Sequence, residues 1–355
     1  MTIADNLQTL IDCKADMKSA IEEKGVTVSG GLFTYADAIR QIEGGTEIIE
    51  KIDFSKLGYN SDEITNCNSV ILEEIEFSKK ELDDWDPSNT RGYYMETNLC
   101  YFPKIDTSNV TNMTNMFYNS TNLTYVPSLN TSKVTSMNSM FSGCTALSKI
   151  EWFDTSKVTN MGQMFFGCEQ LTVVPHFDTS NVTGMSGMFL DCSLIMSIPH
   201  FDTSNVTNMY QMFYDCFNLK TIPQLDTSKV TDMGQMFMYA TNLESLPLID
   251  MSNVDNFDKM FGAIAHTVGH EYNNLTDIAG FKNVGMIENQ KMPVFSLANC
   301  INMTVKSAIN IIENLYDRAS AGFSTLTLRL PFALNNDISS YYISIATNKG
   351  WDVTF

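Results

Sequence analysis

Positive charge is scarce in this sequence. It has 22 lysine and arginine residues against 41 aspartates and glutamates, which gives a formal net charge of −19 over 355 residues. Binding to nucleic acid or to an anionic lipid surface requires clustered basic side chains. The chain also lacks any apolar run approaching the length of about 18 residues that spans a membrane. The composition therefore predicts no binding to nucleic acid and no membrane insertion.

The groups that usually carry catalysis are also few. The chain has four histidines and eight cysteines without a CxxC pair, which argues against a zinc or redox motif. His266 and His270 precede Glu271 at metal-binding spacing, but Gly269 interrupts the helix that such a pair needs, so we expect a polar loop there. No nucleophile–base pair, phosphate-binding glycine loop or paired-carboxylate cleft is recognisable. We predict that the chain is not an enzyme and has no cofactor.

The N-terminal residues lack the features of a secretory signal. The stretch Met1–Asp5 has no basic leader, no apolar segment follows it, and charged residues recur between Asp12 and Lys18. We therefore expect synthesis in the cytoplasm and no Sec-dependent export.

One repeated unit dominates the chain. Each unit has the form D-T-S-[NK]-V-T-x-M-x-x-M-F-x-x-C-x-x-L-x-x-[VI]-P-x-[FL], numbered below as positions 1 to 24. Positions 8 and 11 hold 13 of the 22 methionines, and position 15 holds four of the eight cysteines. The period lies in the leucine-rich-repeat range and predicts a solenoid of stacked units. The seven unit starts are Asp106, Asn130, Asp154, Asp178, Asp202, Asp226 and Asp250.

The spacing of apolar residues predicts the structure of each unit. In the fifth unit, positions 8, 11, 12 and 15 are Met209, Met212, Phe213 and Cys216, the spacing of one helix face. Leu219 opens the apolar pattern of a short strand. The predicted fold class is α/β, a leucine-rich-repeat-like solenoid with one short helix and one short strand per unit. These five side chains should stack on their counterparts in neighbouring units as a core ladder.

Two columns of repeated side chains could suggest metal binding. The aspartates at position 1 could hold calcium, but each unit has one carboxylate followed by Thr and Ser, which favours turn capping. The cysteines at position 15 could form disulfides or bind a soft metal. Ser120 and Ala240 occupy the same position in other units, which favours a small buried core residue.

The units resemble the BspA-like leucine-rich repeats of bacterial surface proteins, which have the same D-T-S-x-V-T-x-M-x-x-M-F-x-x-C string. That resemblance covers residues 106–262 and implies adhesion or recognition. The flanking strings AIEEKGV…YADAIRQIEGG and ATNKGWDVTF resemble segments of bacteriophage virion proteins. They imply a virion protein of the tail or the capsid surface, made in the host cytoplasm, that binds a host-surface glycan or protein. The alternatives are a bacterial cell-surface adhesin and, third, an intracellular scaffold.

We expect four regions in the chain. Residues 1–45 form a helical segment that anchors the protein to other virion proteins or makes it a homo-oligomer, and residues 46–105 form an N-terminal cap and lead-in. Residues 106–262 form the solenoid. Residues 263–355 form a C-terminal cap with a helix over 304–317, a strand over 324–330, a helix over 337–348 and a strand over 350–355.

Surface columns of the solenoid are the predicted binding site. Position 23 reads Ser, Trp, His, His, Gln, Leu in the first six units, and position 20 is a tyrosine in the first unit. Aromatic side chains dominate recognition energy, so the candidate ligand-binding residues are Tyr125, Trp152, His176 and His200. Residues 106–262 contain 6 lysines, 14 acidic residues and no arginine. An acidic, hydroxyl-rich surface suits a glycan or a protein better than a polyanion.

Overall fold

The computed structural model describes residues 107–126, 128–262, 273–288 and 292–355. The predicted regions 1–45 and 46–105 lie outside the described residues, as do His266, His270 and Glu271. No helix among the described residues is long and apolar enough to cross a membrane.

The regular elements are short and fall mainly in the C-terminal part. The strands are β1 Tyr125–Val126, β2 Lys149–Ile150, β3 Ser245–Leu246, β4 Ile249–Asp250, β5 Asp277–Ile278, β6 Phe281–Lys282, β7 Val294–Ser296, β8 Leu326–Arg329 and β9 Trp351–Thr354. The helices are α1 Val305–Glu313, α2 Arg318–Ala321 and α3 Ser340–Asn348, with a 3-10 turn at Phe332–Leu334.

The repeated units stack on one another in parallel register. β1 pairs with β2 at positions 20 and 21, so that Tyr125 lies opposite Lys149. A second ladder of parallel bridges joins position 7 of each unit to position 7 of the next. It runs through Asn112, Ser136, Asn160, Gly184, Asn208, Asp232 and Asn256. Parallel pairing therefore joins consecutive units at the sequence period.

Positions 8 to 15 form consecutive turns, and the helix predicted there is wrong. N–H groups at the odd positions 11, 13 and 15 donate to carbonyls three residues earlier, as from Met212 to Met209 at 3.1 Å. N–H groups at the even positions 8, 10, 12 and 14 donate to the next unit, as from Gln211 to Gly234 at 3.0 Å. The N–H groups at positions 8 and 10 to 15 of the regular units are therefore satisfied without an α-helix.

Left-handed residues explain why these turns cannot become helical. Positions 10 and 14 have positive φ in the described units, for example 54° at Gln163 and 70° at Gly167. A left-handed residue breaks the right-handed helix, and Gly, Asn and Asp adopt that conformation most readily. Position 14 reads Asn, Gly, Gly, Asp, Asp and Tyr in the first six units.

The core contains ladders of like side chains. The rings at position 12 stack nearly parallel along the units, with centroids 5.7 Å apart for both Phe141–Phe165 and Phe165–Phe189. A second stack at position 24 includes Phe153 and Phe177, 6.4 Å apart. The five ladder residues of the fifth unit are all fully buried: Met209, Met212, Phe213, Cys216 and Leu219.

The stack continues beyond residue 262. β5 pairs with β3 so that Leu246 lies opposite Ile278, and β6 pairs with β4 so that Ile249 lies opposite Phe281. The paired residues here are 32 apart in the sequence, eight more than in the regular units. The backbone N–H of Cys300 then donates to the Leu297 carbonyl at 2.9 Å. The N–H groups at position 15 of the repeats likewise donate to the carbonyl three residues earlier.

The C-terminal part is a small parallel sheet with helices. Its strand order is β7–β8–β9, and α1 packs against α3. The four elements predicted after residue 303 are confirmed, with α2 in addition. Thr304 caps α1 through its side chain, which accepts a bond from the Ser307 N–H. The buried Arg318 guanidinium donates to the Ile287 carbonyl at 2.9 Å and to the Glu288 carbonyl at 3.2 Å.

Candidate functional site

One segment of each unit alternates between core and surface. Positions 18, 21 and 24 are buried in the repeats, and the positions between them carry the exposed side chains. We call the side chains at positions 17, 19, 20 and 23 the outer face. Because neighbouring units stack in register, each of these positions forms a column in which side chains recur at about the 4.8 Å strand spacing.

The predicted column at position 23 lies on the surface. Trp152 is 59% exposed, whereas its neighbour Phe153 is fully buried. His176 and His200 are exposed in the next two units. Trp152, His176 and His200 therefore follow one another in a single column, one per unit.

Tyr125 lies beside the position 23 column. It is half-buried at position 20, and its hydroxyl lies 3.3 Å from Oε1 of Glu151, the residue before Trp152. Lys149 is 3.0 Å from the same carboxylate oxygen and 5.9 Å from the centre of the Tyr125 ring. The four predicted residues thus lie on the same segment of consecutive units.

The outer face also holds apolar side chains that sequence reasoning missed. Val173 at position 20 is 67% exposed, Met196 at position 19 is 58% exposed, and Leu194 at position 17 lies beside Met196 in the same unit. The sequence gives no signal for Met196, because methionine is the common core residue of the repeats. Within residues 107–126 and 128–262, every large apolar side chain that is exposed lies on the outer face: Trp152, Val173, Leu194, Met196 and Leu248.

A column of carboxylates follows the outer face. Position 1 comes two residues after position 23, with one buried residue between them, and His200 is close enough to Asp202 to lower its pKa. The Asp178 carboxylate accepts bonds from the Ser180 N–H at 3.1 Å and from its hydroxyl at 2.7 Å. Such bonds lower the pKa of Asp202 and of Asp226, with Ser204 and Ser228 as the donors. The turn-capping interpretation of position 1 is confirmed by these contacts.

The cysteine column is part of the core. The position 15 cysteines are buried and unbonded to one another, and the Cys192 thiol donates to the Phe165 carbonyl at 3.1 Å. Burial raises the pKa of the Cys144 thiol to about 12 and that of Cys192 well above its ordinary value. The interpretation of position 15 as a small buried core residue is confirmed.

The described part of the chain offers no cluster for a metal ion. No three His, Cys, Asp or Glu side chains within it are close enough together to bind one. His266, His270 and Glu271 lie outside it.

Comparison with known proteins places the repeats in a family. A family model described as "Mycoplasma protein of unknown function, DUF285" matches residues 95–192 and again residues 172–275. Among solved structures, the crystal structure of a T. pallidum leucine-rich repeat protein is 23% identical, with a TM-score of 0.24. That match covers 33% of this chain and spans 64% of the other chain's length. No curated protein matches the chain.

The family model and the repeat string agree with each other. The model covers the units that carry the BspA-like string, so the protein has BspA-like leucine-rich-repeat character. Its two matches overlap and together span residues 95–275, just over half of the 355 residues. The chain therefore belongs to the DUF285 family.

Proposed function

We propose that the protein is a non-enzymatic recognition protein that binds its partner through the outer face of the repeats. One observation carries the proposal: the large apolar side chains exposed along residues 107–126 and 128–262 all lie on that face. Apolar side chains that are exposed on one face favour an interaction surface there, because leaving them in water is unfavourable. The columns at positions 19, 20 and 23 also vary between units, whereas the core positions repeat.

The variation has a direct physical meaning. A core ladder requires side chains of similar size and polarity in every unit, because each one packs on its counterparts. Surface columns are free of that requirement and can differ from unit to unit. Trp152, His176 and His200 therefore give the outer face a different chemistry at each level of the stack.

We further propose that the protein acts on a virion and binds the host surface. The support is the likeness of the flanking strings to virion segments, one within residues 1–45 and the other at the C-terminus. The BspA-like repeat string supports the second candidate, a bacterial cell-surface adhesin. Mass spectrometry of purified particles separates the two, since a virion protein is present in particles at fixed stoichiometry.

Cell binding tests the recognition role. The fluorescently labelled full chain is added to candidate host cells, beside a variant with Trp152→Ala, His176→Ala and His200→Ala. A matched control carries Thr135→Ala, Thr159→Ala and Thr183→Ala, which are exposed at position 6 away from the outer face. We expect the outer-face variant to lose binding and the control to retain it. Equal binding by both variants would overturn the proposal.

A further inference from the structure

The apolar part of the outer face is concentrated on three consecutive units. Trp152 lies at position 23 of the second unit, Val173 at position 20 of the third and Met196 at position 19 of the fourth. These side chains are each more than half exposed. We call these three residues the apolar patch. A hydroxyl-rich glycan leaves Val173 and Met196 without a suitable contact, whereas apolar side chains of a protein segment remove them from water.

The carboxylates beside the patch are not held in ion pairs. Asp178, Asp202 and Asp226 are exposed at position 1, and none of them belongs to an ion pair within the described ranges. His200 precedes Asp202 by two residues, and His200 and Lys229 lower the pKa of Asp202 after the stronger effect of the bonds from Ser204. The acidic column therefore adjoins the position 23 column.

The neighbouring position 4 decides whether a lysine lies close to the carboxylate in the same unit. Lysine occupies this position in the second, third and sixth units, but the fourth and fifth units have Asn181 and Asn205. Both asparagine amides donate to the preceding unit at 2.8 Å, to the carbonyls of Ser156 and Ser180. Lys229 occupies position 4 of the sixth unit, and its ammonium donates to the Asn205 side chain at 2.8 Å. Asp178 and Asp202 thus have no lysine at position 4 of their own units and form no ion pair within the described ranges.

We propose that the outer face binds a protein segment in which apolar side chains alternate with lysine or arginine. This inference rests on the proposed recognition function and names its partner class. The apolar side chains of the segment contact Trp152, Val173 and Met196, and its basic side chains face Asp178 and Asp202. Opposite charges at the edge of an apolar contact speed association and select the partner.

The test uses one fluorescein-labelled peptide, in which leucines and lysines are interspersed with glycine and serine. Its affinity for the full chain is measured by fluorescence anisotropy at low and high salt. Two reference peptides replace every leucine by serine or every lysine by glutamate. We expect the leucine–lysine peptide alone to bind, and to bind more weakly at high salt because exposed charges are screened.

Variants of the chain assign the binding to the two surfaces. Val173→Ser with Met196→Ser removes the apolar patch, and Asp178→Asn with Asp202→Asn removes the charges. The asparagine variants keep the turns, because Asn130 occupies position 1 of the second unit and accepts the same bonds from Ser132. We expect each pair of substitutions to weaken binding roughly tenfold.

A matched control removes two charges elsewhere. Asp232→Asn with Asp258→Asn changes positions 7 and 9, away from the outer face, and Asn160 accepts at position 7 the bond that Asp232 accepts. The control should bind the peptide as the unaltered chain does. Equal weakening by the control and by Asp178→Asn with Asp202→Asn would overturn the assignment to the acidic column.

The remaining outcomes separate this inference from the proposed function. Equal binding of the serine–lysine or leucine–glutamate peptide overturns the alternating apolar and basic partner. Trp152-dependent binding to immobilised neutral glycans, without peptide binding, overturns this inference and leaves the recognition function in place. Cell binding that is insensitive to all outer-face substitutions overturns both.

Discussion

The thiol of Cys168 donates a hydrogen bond to the backbone carbonyl of Phe141, 27 residues earlier, at 3.2 Å. Phe141 belongs to position 12 of the preceding unit, so the bond joins two levels of the stack. Cys144 and Cys216 make the same contact with their preceding units, at 2.9 and 3.0 Å. The column of cysteines therefore links units through the backbone and has neither a disulfide nor an exposed sulfur.

Buried thiols of this kind should be chemically silent in the folded protein. Burial raises the pKa of Cys168 and of Cys216 well above the ordinary value, which removes the reactive thiolate at neutral pH. We expect iodoacetamide to leave both unlabelled in buffer and to label them in urea, as measured by peptide-resolved mass spectrometry. Labelling at the same rate in buffer and in urea would show that these thiols are not buried in the folded protein.

The phenylalanine ladder should dominate stability. Phe165 stacks between Phe141 and Phe189, and its removal opens a cavity that neighbouring units cannot close. Phe165→Ala should lower the free energy of unfolding in urea by about 3–5 kcal/mol. Phe166→Ala is the control, because that ring is only half-buried and lies outside the stack. A similar loss for both variants would show that stacking contributes little.

The left-handed backbone at position 14 predicts a contrast between two glycines. Gly167 has a φ of 70°, whereas Gly184 at position 7 does not have a left-handed φ. An added Cβ would have room at both sites, with nearest atoms at 3.6 and 3.4 Å. Gly167→Ala should therefore cost about 1–2 kcal/mol through backbone strain.

Gly184→Ala serves as the matched control in the same urea titration. It should be close to neutral, or stabilise by roughly 0.4–1 kcal/mol through the unfolded chain. If the two alanine variants unfold at the same urea concentration, the two positions do not differ in backbone strain.

Asp215 predicts an unusual dependence of stability on pH. Its carboxyl is half-buried, and the Asp191 carboxylate of the preceding unit lies beside it. Burial first, and Asp191 second, raise the pKa of Asp215 from 3.8 to about 7. Between these values the folded state holds a proton that the unfolded state has released, so this carboxyl makes stability fall as pH rises.

Thermal unfolding measured across this pH range checks the prediction. We expect the melting temperature to decline towards pH 7, and to decline less steeply with pH in the Asp215→Asn variant. Asparagine already occupies position 14 of the first unit, as Asn119, so the substitution suits the backbone there. Asp202→Asn is the control, because bonds from Ser204 lower the pKa of Asp202 and keep it charged in this range. An unchanged slope in Asp215→Asn would assign the decline to other groups.

The core could be predicted from sequence because the repeat fixes which side chains meet. Any side chain that recurs every 24 residues must lie on its counterpart once units stack, as Phe213 does on Phe189. The local backbone could not be predicted in the same way. Spacings of three, four and seven residues are typical of a helix face, yet a chain of turns with left-handed residues produces them too. Asn and Gly at position 14 were the available indication.

Only some residues of the outer face can be recognised from the sequence. Trp152 and His176 were identified because aromatic side chains at a non-core position stand out in a repeat. Met196 has no such distinction, since methionine is the common core residue of the units. Its exposure depends on its place between buried positions 18 and 21, which becomes evident only when the turn of the chain is known.

Site-specific photo-crosslinking tests the recognition function most directly. A benzophenone amino acid is placed at residue 152 on the outer face or at residue 159, an exposed site at position 6 of the following unit. Each labelled protein is irradiated on host cells, and adducts are identified by mass spectrometry. If the partner binds through the outer face, residue 152 forms a specific adduct and residue 159 forms none. Adducts from residue 159 alone, or equally from both, would contradict binding through the outer face.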